Sequence, residues 1–279
     1  MLIDSYAVFG QPISHSKSPR IHQLFAQQTC QQLTYRAQEV SAAQFTVAVN
    51  DFFAHGGKGL NCTVPLKELA FHYAQKNTER ATLSKAVNTL AMTAEGIIYG
   101  DNTDGVGLVR DLMANNGIAL INKKILILGA GGATRGILLP LLEQRCAGII
   151  IANRTITKAV QLAGEFTQKG AVAGCGFSDL SGQQFDLIIN ATSASLTGQL
   201  PPLPEDLLAK GGDCYDLAYG NQPTVFVQWG SARQATRSLD GLGMLVEQAA
   251  EAFYVWRGMR PTTQTIIAQL RKEIGQLNP

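Results

Sequence analysis

The sequence lacks an excess of one charge, a long apolar run and a leader-like start, and each absence excludes a class of protein. It has 23 basic and 21 acidic side chains in 279 residues, a net charge of +2, which gives no support for a nucleic-acid or membrane-surface role. No apolar stretch approaches the ~18 residues of a membrane span, and the start lacks the basic segment of a signal peptide. We therefore expect a cytoplasmic protein that binds neither nucleic acid nor membrane.

The sequence is also poor in the patterns of metal and disulfide sites. Its five cysteines form no C-x-x-C pair and are odd in number, which fits a reducing cytosol rather than a disulfide framework. The four histidines show no metal-ligand spacing, so no metal site is predicted. No G-x-S-x-G motif is present, which excludes a hydrolase of that type. By contrast, hydrophobic residues make up 46% of the chain, enough for a folded core.

Short apolar runs alternate with amphipathic stretches, and this alternation predicts an α/β fold. In the middle third, the continuous apolar run at residues 124–128 predicts a strand covered on both faces, and residues 148–152 and 185–190 predict further strands. Helices predicted over 133–143 and 156–168 separate these strands. The arrangement is typical of right-handed βαβ units in a parallel sheet.

The first and last thirds predict further elements. The predicted strands are residues 6–9, 33–40, 59–63, 88–92, 97–99 and 214–217, of which 88–92 and 97–99 form a hairpin. The predicted helices are residues 19–30, 42–55, 103–115, 243–258 and 262–277. From the pattern alone, the last two helices either extend the second domain or return to the first.

The most informative local motif is GAGGATRG at residues 129–136, between a predicted strand and a predicted helix. Glycines in this setting allow a tight turn and a close approach of the backbone to a pyrophosphate at the helix N-terminus. Thr134 replaces the third glycine of the strict pattern. The alternative is a glycine-rich turn without a ligand, but the βαβ context favours a dinucleotide site. The predicted cradle comprises Gly129, Ala130, Gly131, Gly132, Ala133 and Thr134.

The residues after the second strand of this unit indicate which dinucleotide is bound. NAD enzymes place an acidic residue ~20 residues after the first glycine, where it binds the ribose 2′-hydroxyl. Here the segment reads Asn153, Arg154, Thr155, with Lys158 one helical turn beyond. No carboxylate repels a 2′-phosphate, and both cations can bind one. The segment therefore favours NADP, although Arg154 and Lys158 can also be ordinary solvated charges.

Polar segments in the first third stand where predicted strands end. Ser14 and Ser16 can donate hydrogen bonds to a carboxylate or hydroxyl of a ligand, or can serve only as turn and cap residues. Lys67 follows a strand and a proline turn, where partial desolvation suits general acid–base chemistry, although a surface lysine is the alternative. Asp104 lies in a glycine-flanked loop, either opposite Lys67 or as part of an ordinary helix start.

Taken in order, the motifs of this chain resemble those of shikimate dehydrogenases over almost its full length. They are GQPISHSKSP, NCTVPLKE, AVNTL, GDNTDGVG, GAGGATRG, ANRT, NATSAS, CYDLAYG and DGLGMLVEQAAEAF. The resemblance implies an NADP-dependent oxidoreductase of aromatic amino-acid biosynthesis that reduces the ketone of 3-dehydroshikimate to shikimate. It also implies an N-terminal α/β substrate domain of residues 1–103 and 240–279, to which the C-terminal helices return, and a Rossmann-like NADP-binding domain of residues 104–239.

The resemblance further implies a role for each matching side chain. Lys67 and Asp104 would be the catalytic pair. The residues implied to contact the substrate are Ser14, Ser16, Thr63, Lys67, Asn88, Asp104, Tyr219 and Gln248. Those implied to contact the cofactor, besides residues 129–134, are Glu79, Asn153, Arg154, Thr155, Lys158, Leu217 and Gly241. The only partner implied is the small-molecule substrate, bound by a monomer or a homodimer.

At a few positions the chain differs from the residues that are common in this family, and two other functions stay open. Lys158 stands where arginine is common, Leu217 where methionine is common, and Ser195 where glycine often occurs. One alternative is a quinate/shikimate dehydrogenase with relaxed cofactor use, which an acidic residue after the second strand would have favoured. The other is a non-catalytic NADP-binding regulator, which should have lost Lys67 or Asp104.

Overall fold

The structure is a computed structural model that describes residues 3–276, and these residues form twelve strands and ten α-helices. The strands are β1 (Asp4–Gly10), β2 (Leu33–Glu39), β3 (Gly57–Cys62), β4 (Lys76–Asn77), β5 (Thr89–Met92), β6 (Ile98–Asp101), β7 (Lys124–Leu128), β8 (Gly148–Ala152), β9 (Val172–Cys175), β10 (Phe185–Asn190), β11 (Leu208–Asp216) and β12 (Ser238–Leu239). The helices are α1 (Ser18–Gln28), α2 (Phe45–Ala54), α3 (Lys67–Tyr73), α4 (Glu79–Ser84), α5 (Asp104–Arg110), α6 (Gly132–Leu142), α7 (Ile156–Phe166), α8 (Val225–Ala232), α9 (Leu242–Arg257) and α10 (Gln264–Gln276).

The chain divides into two compact units. The first unit is Met1–Gly107 with Val246–Ile266, and the second is Leu108–Leu245 with Ile267–Pro279. The expected boundaries after residues 103 and 239 therefore lie a few residues before the observed ones. Most of α10 also groups with the second unit rather than the first, and its Arg271 makes two hydrogen bonds to Asp240 of that unit, at 2.5 and 2.6 Å.

The first unit is built on a mixed six-stranded sheet in the order β2-β1-β3-β5-β6-β4. β1 pairs in parallel with β2 and β3, whereas β5 pairs antiparallel with β3 and β6. The predicted hairpin of residues 88–92 and 97–99 is therefore confirmed as β5 and β6. The interior strand β1 is buried from Tyr6 to Gly10, because both of its faces are covered. Ser14 lies on the loop after β1, and Lys67 and Asp104 begin the helices that follow β3 and β6.

From Val246 onwards, helix α9 groups with the first unit, where it is fixed by Trp256. The Trp256 ring stacks on Tyr6 with ring centroids 4.8 Å apart, and its Nε1 donates to the Leu90 carbonyl at 3.0 Å. A Cβ on Gly59 would lie 2.2 Å from Nε1 of Trp256. Strand β3 therefore needs a glycine where the indole crosses it.

The second unit contains a six-stranded parallel sheet in the order β12-β11-β10-β7-β8-β9. This is the strand order of a doubly wound dinucleotide-binding fold. The predicted strands 124–128, 148–152 and 185–190 are confirmed without change, since apolar runs such as Ile125–Leu128 are fully buried. The sequence patterns missed β9, α8 and the short β12, and β11 begins six residues earlier than predicted.

The predicted helix 103–115 changes its winding partway along. It is α5 as far as Arg110 and then a π-helical turn, Asp111–Asn115. The Asp111 carboxylate is buried and accepts a 2.7 Å hydrogen bond from the Tyr215 hydroxyl. A Cβ on Gly243 would lie 2.1 Å from Oδ1 of Asp111. The π-helical turn therefore places this carboxylate in contact with the start of α9.

Among residues 3–276, no helix is both long and apolar enough to cross a bilayer. Likewise, that part of the chain contains no group of three or more His, Cys, Asp and Glu side chains arranged to hold a metal ion.

Candidate active site

The first unit brings Lys67 and Asp104 into direct contact. Lys67 is the first residue of α3 and Asp104 is the first residue of α5. The Lys67 Nζ lies 2.6 Å from Oδ2 of Asp104, with side chains 28% and 13% exposed, respectively. The ammonium is thus partly shielded from water but still reachable by a ligand, as a general acid–base group must be.

Asn88 holds the Asp104 carboxylate from its other side. Its Nδ2 donates to Oδ1 of Asp104 at 2.7 Å and to Oγ1 of Thr103 at 3.0 Å. Its Oδ1 accepts a 2.9 Å hydrogen bond from the Thr103 backbone N–H. Asn88 and Thr103 are both buried, so each oxygen of Asp104 has a fixed partner. Thr103 was not predicted as a site residue, and only its place in a polar run at the end of a strand could have indicated it.

Gln248 on α9 joins the same cluster. Its Oε1 accepts hydrogen bonds of 3.4 Å from both Asn88 Nδ2 and Thr103 Oγ1. The approach of α9 depends on Gly107 of α5, because a Cβ there would lie 2.6 Å from the Gln248 backbone nitrogen. The structure therefore brings together four of the predicted site residues, Lys67, Asn88, Asp104 and Gln248.

A buried ion network supports the loop that carries Asp104. Arg80 donates to both oxygens of Asp101, at 2.7 and 2.5 Å, and to Glu251 at 3.1 Å. Asp101 also accepts the Asn102 backbone N–H at 2.7 Å, which fixes the backbone two residues before Asp104. Burial disfavours the charged guanidinium, but hydrogen bonds and charges of Asp101 and Glu251 outweigh burial and raise the Arg80 pKa. Sequence reasoning missed this network.

The other predicted residues of the first unit lie on separate loops. Ser14 is exposed, and the half-buried Ser16 accepts a 3.3 Å hydrogen bond from the Ser18 backbone N–H at the start of α1. The N-cap of α1 is Lys17, and no side chain caps the helix, so the Ser16 contact is a turn contact, and the Ser16 hydroxyl proton can still be donated to a ligand. Thr63 is half-buried between β3 and α3, and Glu79 is exposed in the first turn of α4.

In the second unit, the glycine motif forms a strand-to-helix turn of the predicted kind. Gly129 has a φ of +101°, a conformation that glycine adopts without strain. The buried Thr134 donates from Oγ1 to the Gly129 carbonyl at 2.7 Å, which closes the turn where the strict pattern has its third glycine. Nothing lies within 4 Å of a Cβ built on Gly131 or Gly132. The N-terminus of α6 is therefore unobstructed at these glycines, and helix N-termini are favourable binding sites for anions.

This turn lines a cavity of about 660 Å³ within the second unit, a volume typical of a cofactor site. Asn153, Arg154 and the loop from Ala191 to Ala194 line it as well. Ala130 donates its backbone N–H to Oδ1 of Asn153 at 3.3 Å, which joins the turn to the end of β8. Arg154 and Lys158 are exposed, and no acidic residue is found at residues 153–158. The described residues of the cavity thus fit a phosphorylated dinucleotide.

The remaining predicted residues belong to the loops after β11 and β12. A Cβ on Gly241 would lie 2.2 Å from the Leu217 carbonyl oxygen, so these two predicted cofactor neighbours are in contact. Leu217 donates its backbone N–H to the Asn190 carbonyl at 2.9 Å. Tyr219 is half-buried, and burial, with a smaller contribution from the Asp240 charge, raises its pKa.

Comparison with known families gives matches along most of the chain. Residues 8–90 match the shikimate dehydrogenase substrate binding domain, residues 112–197 the shikimate/quinate 5-dehydrogenase family, and residues 241–271 the shikimate 5′-dehydrogenase C-terminal domain. A protein of Methylococcus capsulatus named shikimate dehydrogenase (NADP(+)) is 60% identical over 270 residues, 97% of each chain.

Two solved structures show how far the fold alone identifies the activity. Shikimate 5-dehydrogenase of Thermus thermophilus, in complex with NADP(H) and shikimate, is 29% identical with a TM-score of 0.85, over 98% of this chain and all of that one. The 5-ketofructose reductase of a Gluconobacter strain has the same 29% identity and a TM-score of 0.87, over 98% and 99% of the two chains. The overall fold thus accompanies more than one activity, and the nearly full-length match at 60% identity distinguishes between them.

Proposed function

The chain belongs to the shikimate dehydrogenase family, and on that premise we propose which of its side chains carry the reaction. The activity is the NADP-dependent, reversible reduction of 3-dehydroshikimate to shikimate in aromatic amino-acid biosynthesis. The observation on which the residue assignment depends is the 2.6 Å hydrogen bond from Lys67 to Asp104. It places an ammonium beside a carboxylate at the ends of two strand-to-helix loops.

Lys67 acts as the acid in reduction and as the base in oxidation. NADPH, when bound, supplies the hydride to the carbonyl carbon. The Lys67 ammonium donates a hydrogen bond to the carbonyl oxygen, stabilises the negative charge that develops there, and transfers its proton to it. In the reverse direction the neutral amine removes the proton of the shikimate hydroxyl. In the reduction, the substrate oxygen therefore gains one proton and Lys67 loses one.

Asp104 orients both Lys67 and the substrate. Its Oδ2 holds the Lys67 Nζ, and Asn88 fixes its Oδ1, so the carboxylate cannot rotate away from the ammonium. A carboxylate held in this way can also accept a hydrogen bond from the hydroxyl next to the reacting carbon. Thr63, Gln248 and Tyr219 are proposed to complete the substrate contacts.

Ser14 and Ser16 are proposed to bind the substrate carboxylate. Both hydroxyls lie on the loop after β1, and the Ser14 side chain is exposed. Replacing both by alanine should raise KM for shikimate strongly and leave KM for NADP unchanged, since lost uniform binding acts on KM. Exposed Ser178 provides the matched control as Ser178→Ala. If only thermal stability falls, the two serines are turn and cap residues.

For the cofactor, the proposed contacts are the turn of residues 129–134, which receives the pyrophosphate, and Arg154 and Lys158, which receive the 2′-phosphate. Asn153 and Thr155 shape this end of the cavity, while Leu217 and Gly241 are proposed to lie beside the nicotinamide. Glu79, on α4 of the first unit, is proposed as a further cofactor neighbour. The domain roles follow: residues 1–103 and 240–279 are proposed to bind substrate, and residues 104–239 NADP.

Location and assembly are also proposals. All five cysteines are free thiols, which supports a reducing compartment such as the cytoplasm. A monomer or homodimer without nucleic-acid or membrane partners is proposed, and light scattering on the purified protein determines the mass in solution.

The function is tested by measuring kcat/KM for four pairs of substrate and cofactor. Shikimate and quinate are each assayed with NADP and with NAD. The proposal predicts that the pair of shikimate and NADP has the highest value. Equal turnover of quinate would favour the broader quinate/shikimate dehydrogenase, and binding of NADP without turnover of either substrate would favour a regulator.

A further inference from the structure

Asp216 at the end of β11 is a fully buried carboxylate that no assigned role explains. Its Oδ2 accepts 2.6 Å hydrogen bonds from the hydroxyls of Ser195 and Thr224. Its Oδ1 accepts 3.0 Å hydrogen bonds from Asn190 Nδ2 and the Ala218 backbone N–H. Burial raises the Asp216 pKa, while these hydrogen bonds oppose the increase. Such a carboxylate is costly to bury, and it persists because its donors are satisfied together.

The donors come from separate segments at the carboxyl edge of the parallel sheet. Asn190 ends β10, and Ser195 lies in the short 3₁₀ turn Ala194–Thr197. Thr224 caps α8 by accepting the Val227 backbone N–H at 3.2 Å. A single carboxylate therefore joins the loop after β10, the loop after β11 and the start of α8. Cofactors bind at this edge in folds of this type.

The loop after β10 is also a wall of the cofactor cavity. Ala191, Thr192, Ser193 and Ala194 line it opposite the glycine turn. Oδ1 of Asn190 accepts hydrogen bonds from the Thr192 hydroxyl at 2.7 Å and from its backbone N–H at 3.2 Å. The Thr192 methyl lies 3.0 Å from the position of a Cβ on Gly129. A shift of this loop would therefore change the shape of the cavity where the glycine turn faces it.

We propose that Ser195 and Asp216 form a positioning pair that fixes the wall of the NADP site formed by residues 191–194. The pair rests on the proposed function only in identifying the occupant as NADP. Neither residue is among the described residues that line the cavity, so the pair acts through the loop and not by touching the cofactor. A glycine in place of Ser195 would remove the hydroxyl and leave Asp216 with one hydrogen-bond donor fewer. Ser195 is therefore the residue of the pair at which this contact can be lost.

The test compares Ser195→Ala, which removes the hydroxyl, with Ser195→Thr, which keeps it. Ser231→Ala is the matched control, since Ser231 is an exposed serine whose hydroxyl bonds only to the Val227 carbonyl among the contacts described. The Kd of NADPH is measured from its fluorescence, together with KM for shikimate and the thermal midpoint. Ser195→Ala should weaken NADPH binding about fivefold or more, because hydrogen bonds to charged acceptors are among the stronger ones. Ser195→Thr and Ser231→Ala should stay within about twofold, as should KM for shikimate in all variants.

Two results would overturn the pair. One is an unchanged NADPH Kd in Ser195→Ala with a lower thermal midpoint, which would make the network a support of the fold alone. The other is an equal loss of shikimate and NADPH binding, which would mean that the loop acts on the whole protein. If Ser195→Ala does not fold, Asp216→Asn provides the same comparison with a side chain of the same shape. NADPH binding is read without turnover, so a failure of the proposed function shows separately, as absence of shikimate oxidation by the parent.

Discussion

The ammonium of Lys67 donates a 2.6 Å hydrogen bond to Asp104, a residue 37 positions further along the chain. The two residues begin different helices, α3 and α5. What fixes the pair is the buried Asn88, which holds the second oxygen of Asp104 at 2.7 Å. In the proposed reaction, the ketone oxygen meets an ammonium held by a carboxylate that Asn88 fixes in turn, and such preorganisation lowers a barrier.

Cofactor preference should depend on Arg154. Arg154→Ala should remove most of the preference for NADP over NAD, because a hydrogen bond to a charged group contributes about 1.5–3 kcal/mol, or roughly tenfold and more in kcat/KM. The measurement is kcat/KM with each cofactor at saturating shikimate. Arg36→Ala, at an exposed arginine of β2, is the control and should keep the parent preference. An unchanged preference in Arg154→Ala would show that this guanidinium is an ordinary solvated charge.

Shikimate affinity should depend on the glycine at which α5 meets α9. A Cβ on Gly107 would lie 2.6 to 2.9 Å from backbone and Cβ atoms of Gln248, so Gly107→Ala must displace Gln248 from Asn88 and Thr103. KM for shikimate should rise several-fold while the Kd of NADPH stays unchanged. Gly164→Ala in α7 is the control, because nothing lies within 4 Å of a Cβ there. Equal KM values in Gly107→Ala and the parent would remove Gln248 from the site.

The sequence predicts the parallel sheet better than the site. β7 (KILIL), β8 (GIIIA) and β10 (FDLIIN) are mainly apolar, so the residue pattern alone defines their ends. β9, Val172–Cys175, carries two small residues and is largely half-buried, so its residue pattern is a weak strand signal, and in the structure it pairs in parallel with β8. α8 follows a loop rich in proline and glycine, and its cap, Thr224, is visible as a helix start only in the structure.

The site was predicted as separate motifs, and its hydrogen bonds were not predictable. A sequence places Lys67 and Asp104 at the ends of strands, but the order β3-β5-β6 in the sheet determines that their loops meet. Asp101 and Asp216 were missed because each ends an apolar strand, and their donors come from distant segments. A lone carboxylate at the end of a buried strand is the signal that could have indicated both.

Acid should destabilise the fold through His22. The ring is 1% exposed and stacks on Tyr35 with centroids 4.1 Å apart, and burial lowers its pKa to about 3. The unfolded value is about 6.5, so between these pH values the unfolded chain binds the extra proton. The contribution is complete above pH 6.5 and is lost as the pH falls, by about 2 kcal/mol at pH 5.

Urea unfolding at pH 7 and pH 5 measures this contribution. His22→Gln removes the titrating group, so its free energy of unfolding should decrease less between the two pH values than that of the parent. Exposed His72, replaced as His72→Gln, is the control and should follow the parent. The same pH dependence in His22→Gln and the parent would place the acid-sensitive group elsewhere.

The most direct test of the account is the turnover of shikimate by Lys67→Ala. General acid–base catalysis contributes about 10²–10⁴ in rate, so kcat should fall by that factor while the Kd of NADPH stays at the parent value. Lys58→Ala, at an exposed lysine of β3, should keep the parent kcat. A folded Lys67→Ala protein that oxidises shikimate within about threefold of the parent rate, far from the loss expected of a general acid, would contradict the account and require another proton donor.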